Sequence, residues 1–223
     1  MPPMQPPSSR PLPTGDRGPI VNALQIIMIL TASSAVLLRF VARHFSSAGL
    51  WWDDWLILAA LILSVGMNIN NYVGKSTSLG LGKHIWEVQD GGHGYLRSLF
   101  ALEVIYTTAL ALNKLSILMM YQRLFGIDRR LTLAVKVVAA VVIAWWAGVD
   151  IATFLQCEPI ERFWEYSTVG KCFDVVDFFE GSAIPNVIAD VLILLLPQPI
   201  LWKLQMSWSN KLALCGIFLL GAL

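Results

Sequence analysis

Charge is what this 223-residue sequence has little of: Asp, Glu, Lys and Arg make up 14% of it. An ordinary soluble domain carries about 25%. With 56% hydrophobic residues and a mean hydropathy of +0.63, the deficit exceeds what a richer core could explain. Much of the surface must face something other than water. A formal net charge of +1, with no clustered basic face, excludes nucleic acid as a partner. Cysteine is scarce too. Cys157, Cys172 and Cys215 are too few for a disulfide scaffold and lack the paired CxxC spacing of a zinc site. His84 and His93 have no organised ligand spacing, so no metal is expected. No nucleophile–base–orienter set, HExxH or hydrolytic carboxylate pair is present, and neither an enzyme nor a bound cofactor is expected. VGKST resembles the end of a phosphate loop, but the required leading glycine is replaced by Ile69 and no strand precedes it.

The first nineteen residues contain seven prolines and no apolar run. They read as a disordered, partly polyproline tail over 1–19 rather than a signal peptide. The first hydrophobic helix would then direct insertion.

Long hydrophobic runs fill the rest, and a helical span takes roughly 20 apolar residues. Candidate spans are Ile20–Val41, the run from WWDDW to Val73, Ser98–Phe125, Leu131–Leu155 and Val176–Leu204. Asp53 or Asp54 would cap the second, and Trp51, Trp52 and Trp55 suit the wet–dry boundary. Pro185, Pro197 and Pro199 in the fifth are tolerable kinks in a bundle. A sixth span begins near Lys211 and reaches Leu223 after thirteen residues. At 1.5 Å per residue that is roughly 20 Å, against a hydrocarbon core of about 30 Å. The fold class is an all-α, polytopic transmembrane bundle over residues 20–223, with an incomplete sixth helix. Basic residues crowd into the short connections carrying Arg39, Arg43, Arg123, Arg129 and Arg130, which favours an external N-terminus.

Several ordered blocks carry a family resemblance. WWDDWLI, GLGKHIWEV, ALEVIYTTALALNKLSILMMYQRLF, QCEPIERFW with GKC, and AIPNVIADVLILLLPQPILWKLQ with KLALCGIFLLG are similar to the fungal rhodopsin-domain integral membrane proteins. The resemblance covers Ile20 to Leu223. It implies seven helices, an external N-terminus, plasma-membrane placement and a receptor-like role. Despite that resemblance no retinal is expected, since the Schiff-base lysine of light-sensing rhodopsins lies in a seventh helix and this sequence is read as reaching only into the sixth.

Ionisable groups at membrane depth are the most informative positions, because each costs several kcal/mol unless paired or hydrated. Glu103 and Lys114 are eleven residues apart and share a face of the third helix with Thr107 and Leu110. They lie about 16 Å apart along the axis, so each needs a partner elsewhere. Asp190 lies one turn beyond Asn186. Lys114 and Asp190 are expected to meet inside the bundle with Asn113 and Asn186 nearby, as a static interhelical clamp or as part of a polar cavity.

Cys157 and Cys172 flank the connection between helices four and five, external in the preferred orientation, where oxidising conditions favour a bridge over free thiols. Cys215 reads as ordinary packing. GLGKHIWEV reads as an external loop, in which His84, Trp86 and Glu87 could contact a ligand, although interfacial anchoring explains them equally. Arg123 in YQRLF reads as a side chain snorkelling to the interface.

The leading reading is a receptor-like protein sensing an extracellular or surface cue. Its expected partners are the lipid bilayer, an extracellular ligand and a cytoplasmic signalling protein. A transporter or channel using Glu103, Lys114 and Asp190 as a polar path is the alternative, followed by a non-signalling scaffold or truncated product.

Overall fold

The computed structural model describes residues 18–45, 49–76, 93–126, 128–165 and 167–199. The tail residues 1–17, the loop residues His84, Trp86 and Glu87, and the expected sixth span from Lys211 to Leu223 lie outside them. Five helices form in the order α1 (Gly18–Phe45), α2 (Trp52–Ser76), α3 (His93–Phe125), α4 (Arg129–Phe154) and α5 (Val175–Leu195). All five are long and apolar enough to cross a membrane, and the fold is an all-α bundle.

Local chemistry sets the helix starts. Asp54 Oδ2 accepts the Trp51 N–H at 3.1 Å, which satisfies an amide at the head of α2. Asp128 Oδ1 accepts the Arg130 N–H at 2.8 Å and caps α4. At the other end, α5 stops at Leu195 rather than running on to Leu204. The residue before a proline is pushed away from helical backbone, and Leu196 precedes Pro197. Residues 200–204 lie outside the described residues.

Helix α3 is the hub, packed chiefly against α2 and α4 and more lightly against α5. The buried cluster joins Leu118 and Tyr121 of α3 to Val135, Val138 and Val142 of α4 and Ala189 and Ile193 of α5. Large apolar side chains point outward in contrast: Leu24, Ile27, Met28 and Leu37 of α1 are all more exposed than buried. Water would penalise such a surface, whereas hydrocarbon does not.

Pro185 sits inside α5 and cannot donate to the carbonyl of Gly181. One residue on, Trp145 Nε1 of α4 donates to the Ser182 carbonyl at 3.0 Å.

Between α4 and α5 the chain forms a small roof. Strands β1 (Cys157–Glu158) and β2 (Lys171–Cys172) pair antiparallel, with Cys157 opposite Cys172. A disulfide joins those two residues. A 3-10 turn at Ile160–Phe163 lies between the strands. Phe100 of α3 anchors the roof through ring contacts with Phe163 and Trp164. The Arg97 guanidinium stacks 5.4 Å from the Trp164 ring, and His93 Nδ1 contacts the Trp164 carbonyl.

Candidate functional site: a roofed cavity between three polar layers

Among the described residues, the charged groups that pair or hydrogen-bond between helices fall into three layers. The first lies where α1 and α3 end and α2 begins. Arg39 spans two carboxylates, with Nη2 on Asp53 at 2.7 Å and Nε on Asp54 at 2.9 Å. Arg43, one turn on, reaches Asp53 at 3.1 Å. Both aspartates are almost fully buried. Arg123 of α3 approaches Asp53 at 3.9 Å, donates to the Gly49 carbonyl at 3.3 Å and stacks on Trp51. Ser116 of α3 donates to the Asp53 carbonyl at 2.7 Å. The cluster locks the α1–α2 hairpin onto α3. The expected roles were a cap at Asp53 or Asp54 and a snorkelling Arg123. Capping is only part of Asp54's work, and Arg123 turns back into the protein. The signal available was a pair of arginines one helical turn apart, a short connection away from two adjacent aspartates.

The second layer is at mid-bundle. Lys114 Nζ of α3 lies 2.8 Å from Asp190 Oδ1 of α5 and donates to the Asn186 carbonyl, also at 2.8 Å. Its ammonium sits 5.8 Å from the Trp145 ring. The lysine is nearly fully buried, so removing it from the pair would leave charge stranded in hydrocarbon, a cost of several kcal/mol. Asn113 is half-buried and makes no side-chain hydrogen bond to another described residue.

The third layer lies towards the roof. Thr107 of α3 donates to Asp150 Oδ1 of α4 at 2.6 Å. One turn away Thr153 of α4 donates to Glu103 Oε1 of α3 at 3.3 Å. Two threonines and two acids thus cross-link antiparallel helices. Asp150 and Thr153 were not singled out from sequence. Asp150 follows a long uncharged run close to the end of its helix, where an acid reads as interfacial.

From Asn186 at the second layer, past the third layer to the roof, runs a cavity of about 1150 Å³. Its inner wall carries Glu103, Tyr106, Thr107, Trp145, Phe179 and Asn186. Arg162, Phe163, Cys172, Phe173 and Asp174 close it from the roof. Among the expected site residues, the structure thus brings Glu103, Asn186 and Cys172 to one cavity and joins Lys114 to Asp190 just beyond it. It is as large as a drug-sized ligand site, lined by apolar and aromatic side chains with a few converging polar groups. The disulfide ties the roof together at Cys157 and Cys172. Gly170 helps it fold, because a Cβ there would lie 2.2 Å from the Glu158 carbonyl oxygen.

Comparison with known proteins agrees with this architecture. Residues 38–223 match the family model described as the fungal rhodopsin domain. A polyenoic acids biosynthesis gene cluster protein of Metarhizium anisopliae is 29% identical over 85% of this chain and 53% of its own. The wortmanamides biosynthesis cluster protein C of Talaromyces wortmannii is 29% identical over 82% of this chain and 52% of its own. A SAT4 family membrane protein of Emericella nidulans is 30% identical over 57% of this chain and 34% of its own. The chain spans about half the length, or less, of these relatives. No solved structure matches it.

Proposed function

The chain belongs to the fungal rhodopsin domain family, and from that premise we propose that this multi-pass membrane protein is receptor-like, sensing a small organic molecule in its roofed cavity. The observation that carries the proposal is the cavity itself: about 1150 Å³, largely apolar, and bridged by side chains from α3, α4 and α5. A guest there would touch three helices at once, so its binding energy could bias how they pack. The polar contacts that join α3 to α4 and α3 to α5 are the packing such a guest would bias.

The membrane is the plasma membrane, with the N-terminus and the roof outside. Two features support that orientation. Arg39, Arg43, Arg123, Arg129 and Arg130 cluster at the end opposite the disulfide, as the excess of basic residues on cytoplasmic faces requires. A disulfide belongs on the oxidising side. Relatives named for biosynthetic gene clusters support an organic natural product as the guest.

Native mass spectrometry of the protein in nanodiscs, after incubation with an organic extract of a fungal culture, tests the proposal. Wild-type protein should retain a small-molecule mass that Ala183→Trp, which fills the cavity, loses. Equal retention by both proteins, or none by either, refutes it. Accumulation of the same molecule inside proteoliposomes would replace sensing with transport.

A further inference from the structure

Acids at membrane depth in this bundle divide into two kinds. Asp190 has Lys114, and Asp53 and Asp54 have Arg39 and Arg43. Glu103 has no basic partner among the described residues, and its carboxylate receives one hydrogen bond, the 3.3 Å contact from Thr153. Asp150 on the facing helix likewise has only Thr107. Unlike Asp150, Glu103 lines the cavity directly. An ionisable residue inside a membrane protein marks a functional site by default, with its partner to be named.

The rest of the cavity says what that partner is. Asn186 Oδ1 is buried and accepts no hydrogen bond, so the wall offers a second vacant acceptor. Tyr106, Trp145 and Phe179 present aromatic rings, the surfaces on which organic cations rest. Among the described residues that line the cavity the one cation is Arg162 in the roof, which donates to the Thr168 carbonyl. Glu103, with no basic partner among the described residues, the vacant Asn186 acceptor and the Tyr106 and Phe179 faces are complementary to a positive group. Leu96, Leu99 and Leu102 supply apolar wall for the remainder of such a molecule.

Resting on the cavity reading above, we infer that the guest is an organic amine: a largely apolar molecule whose protonated nitrogen pairs with Glu103 and lies against the aromatic wall. Ion pairing and hydrogen bonding to Glu103 would fix the head, and the volume would accommodate a long or polycyclic body. Protein-only pairing leaves Glu103 unbalanced, and the ammonium completes it.

A matched probe series tests this. Tritiated decylamine is equilibrated with the protein in phosphatidylcholine nanodiscs, with protein-free nanodiscs subtracted, and displaced by unlabelled decylamine, decanol or decanoate. Decylamine should bind saturably and compete at least tenfold better than decanol, with decanoate weakest. Glu103→Gln should abolish at least tenfold of the amine's advantage over the alcohol. Tyr106→Leu, which leaves the charge in place, should weaken the amine more than the alcohol and keeps the test decisive if Glu103→Gln fails to fold. Equal competition by amine and alcohol, or stronger competition by decanoate, overturns the amine inference and leaves a small-molecule cavity standing. Absence of saturable binding by all three overturns both.

Discussion

Thr107 and Asp150 meet across the α3–α4 interface at 2.6 Å, and Thr153 and Glu103 repeat the contact in reverse at 3.3 Å. Each threonine is the donor that an acid on the other helix needs. Thr107→Val removes one donor while keeping the side chain's shape, and leaves Asp150 unsatisfied. The expected cost is about 1–3 kcal/mol, read as a lower midpoint of thermal unfolding in detergent. An unchanged midpoint would show that the bond is dispensable.

The Lys114–Asp190 pair should behave as a unit. Lys114→Ala strands Asp190, and Asp190→Ala strands Lys114, so either change destabilises. The double variant should lose less than the sum of the two, with a coupling of about 1–3 kcal/mol between contacting residues. Additive losses in the cycle would show that the 2.8 Å approach stabilises nothing.

Arg39 reaches two carboxylates through different nitrogens of one planar group. A lysine ammonium is a point charge and cannot hold that fork. Arg39→Lys should therefore destabilise the α1–α2 hairpin nearly as much as Arg39→Ala, by roughly 3 kcal/mol as for a broken buried pair. Wild-type stability in Arg39→Lys would refute the bridging role.

Gly170 packs where no side chain fits, since an added Cβ would sit 2.2 Å from a backbone oxygen and 2.8 Å from Pro159 Cδ. Gly170→Ala should disturb the β1–β2 pairing and raise the susceptibility of the Cys157–Cys172 bridge to reduction. Gly148→Ala, whose added methyl meets nothing within 4 Å, should leave both unchanged. Alkylation after graded reductant, followed by mass spectrometry, separates the two variants.

Much of this molecule is legible in its sequence because lipid imposes simple rules. Long apolar runs mark the five spans, and a charge inside such a run must have a partner, which is why Lys114 and Asp190 can be matched from sequence. The cysteine pair was legible because both flank one connection on one side of the membrane. Asp53 and Asp54 misled, since capping accounted for them locally and hid their contacts with Arg39 and Arg43 on the preceding helix. Asp150 and Thr153 escaped because near a helix end a polar residue excites no suspicion. A polar cavity is one of two readings of Lys114 and Asp190 in sequence, but its extent and its roof are not legible there. It depends on how α3, α4 and α5 pack and on a folded roof whose Arg162, Phe163 and Phe173 look like ordinary loop residues in sequence.

The central claim is that the cavity lies at the external end of the bundle beneath the roof, and cysteine accessibility tests it most directly. In a Cys215→Ser background, Ala183→Cys introduces a thiol on the cavity wall and Asp128→Cys one at the start of α4, at the opposite end of the bundle. Intact cells are treated with a small, charged, membrane-impermeant methanethiosulfonate. The thiol at position 183 should be modified without permeabilisation, and the thiol at 128 only after it. Modification at 128 in intact cells, with 183 inert, would contradict both the orientation and the outward-facing cavity.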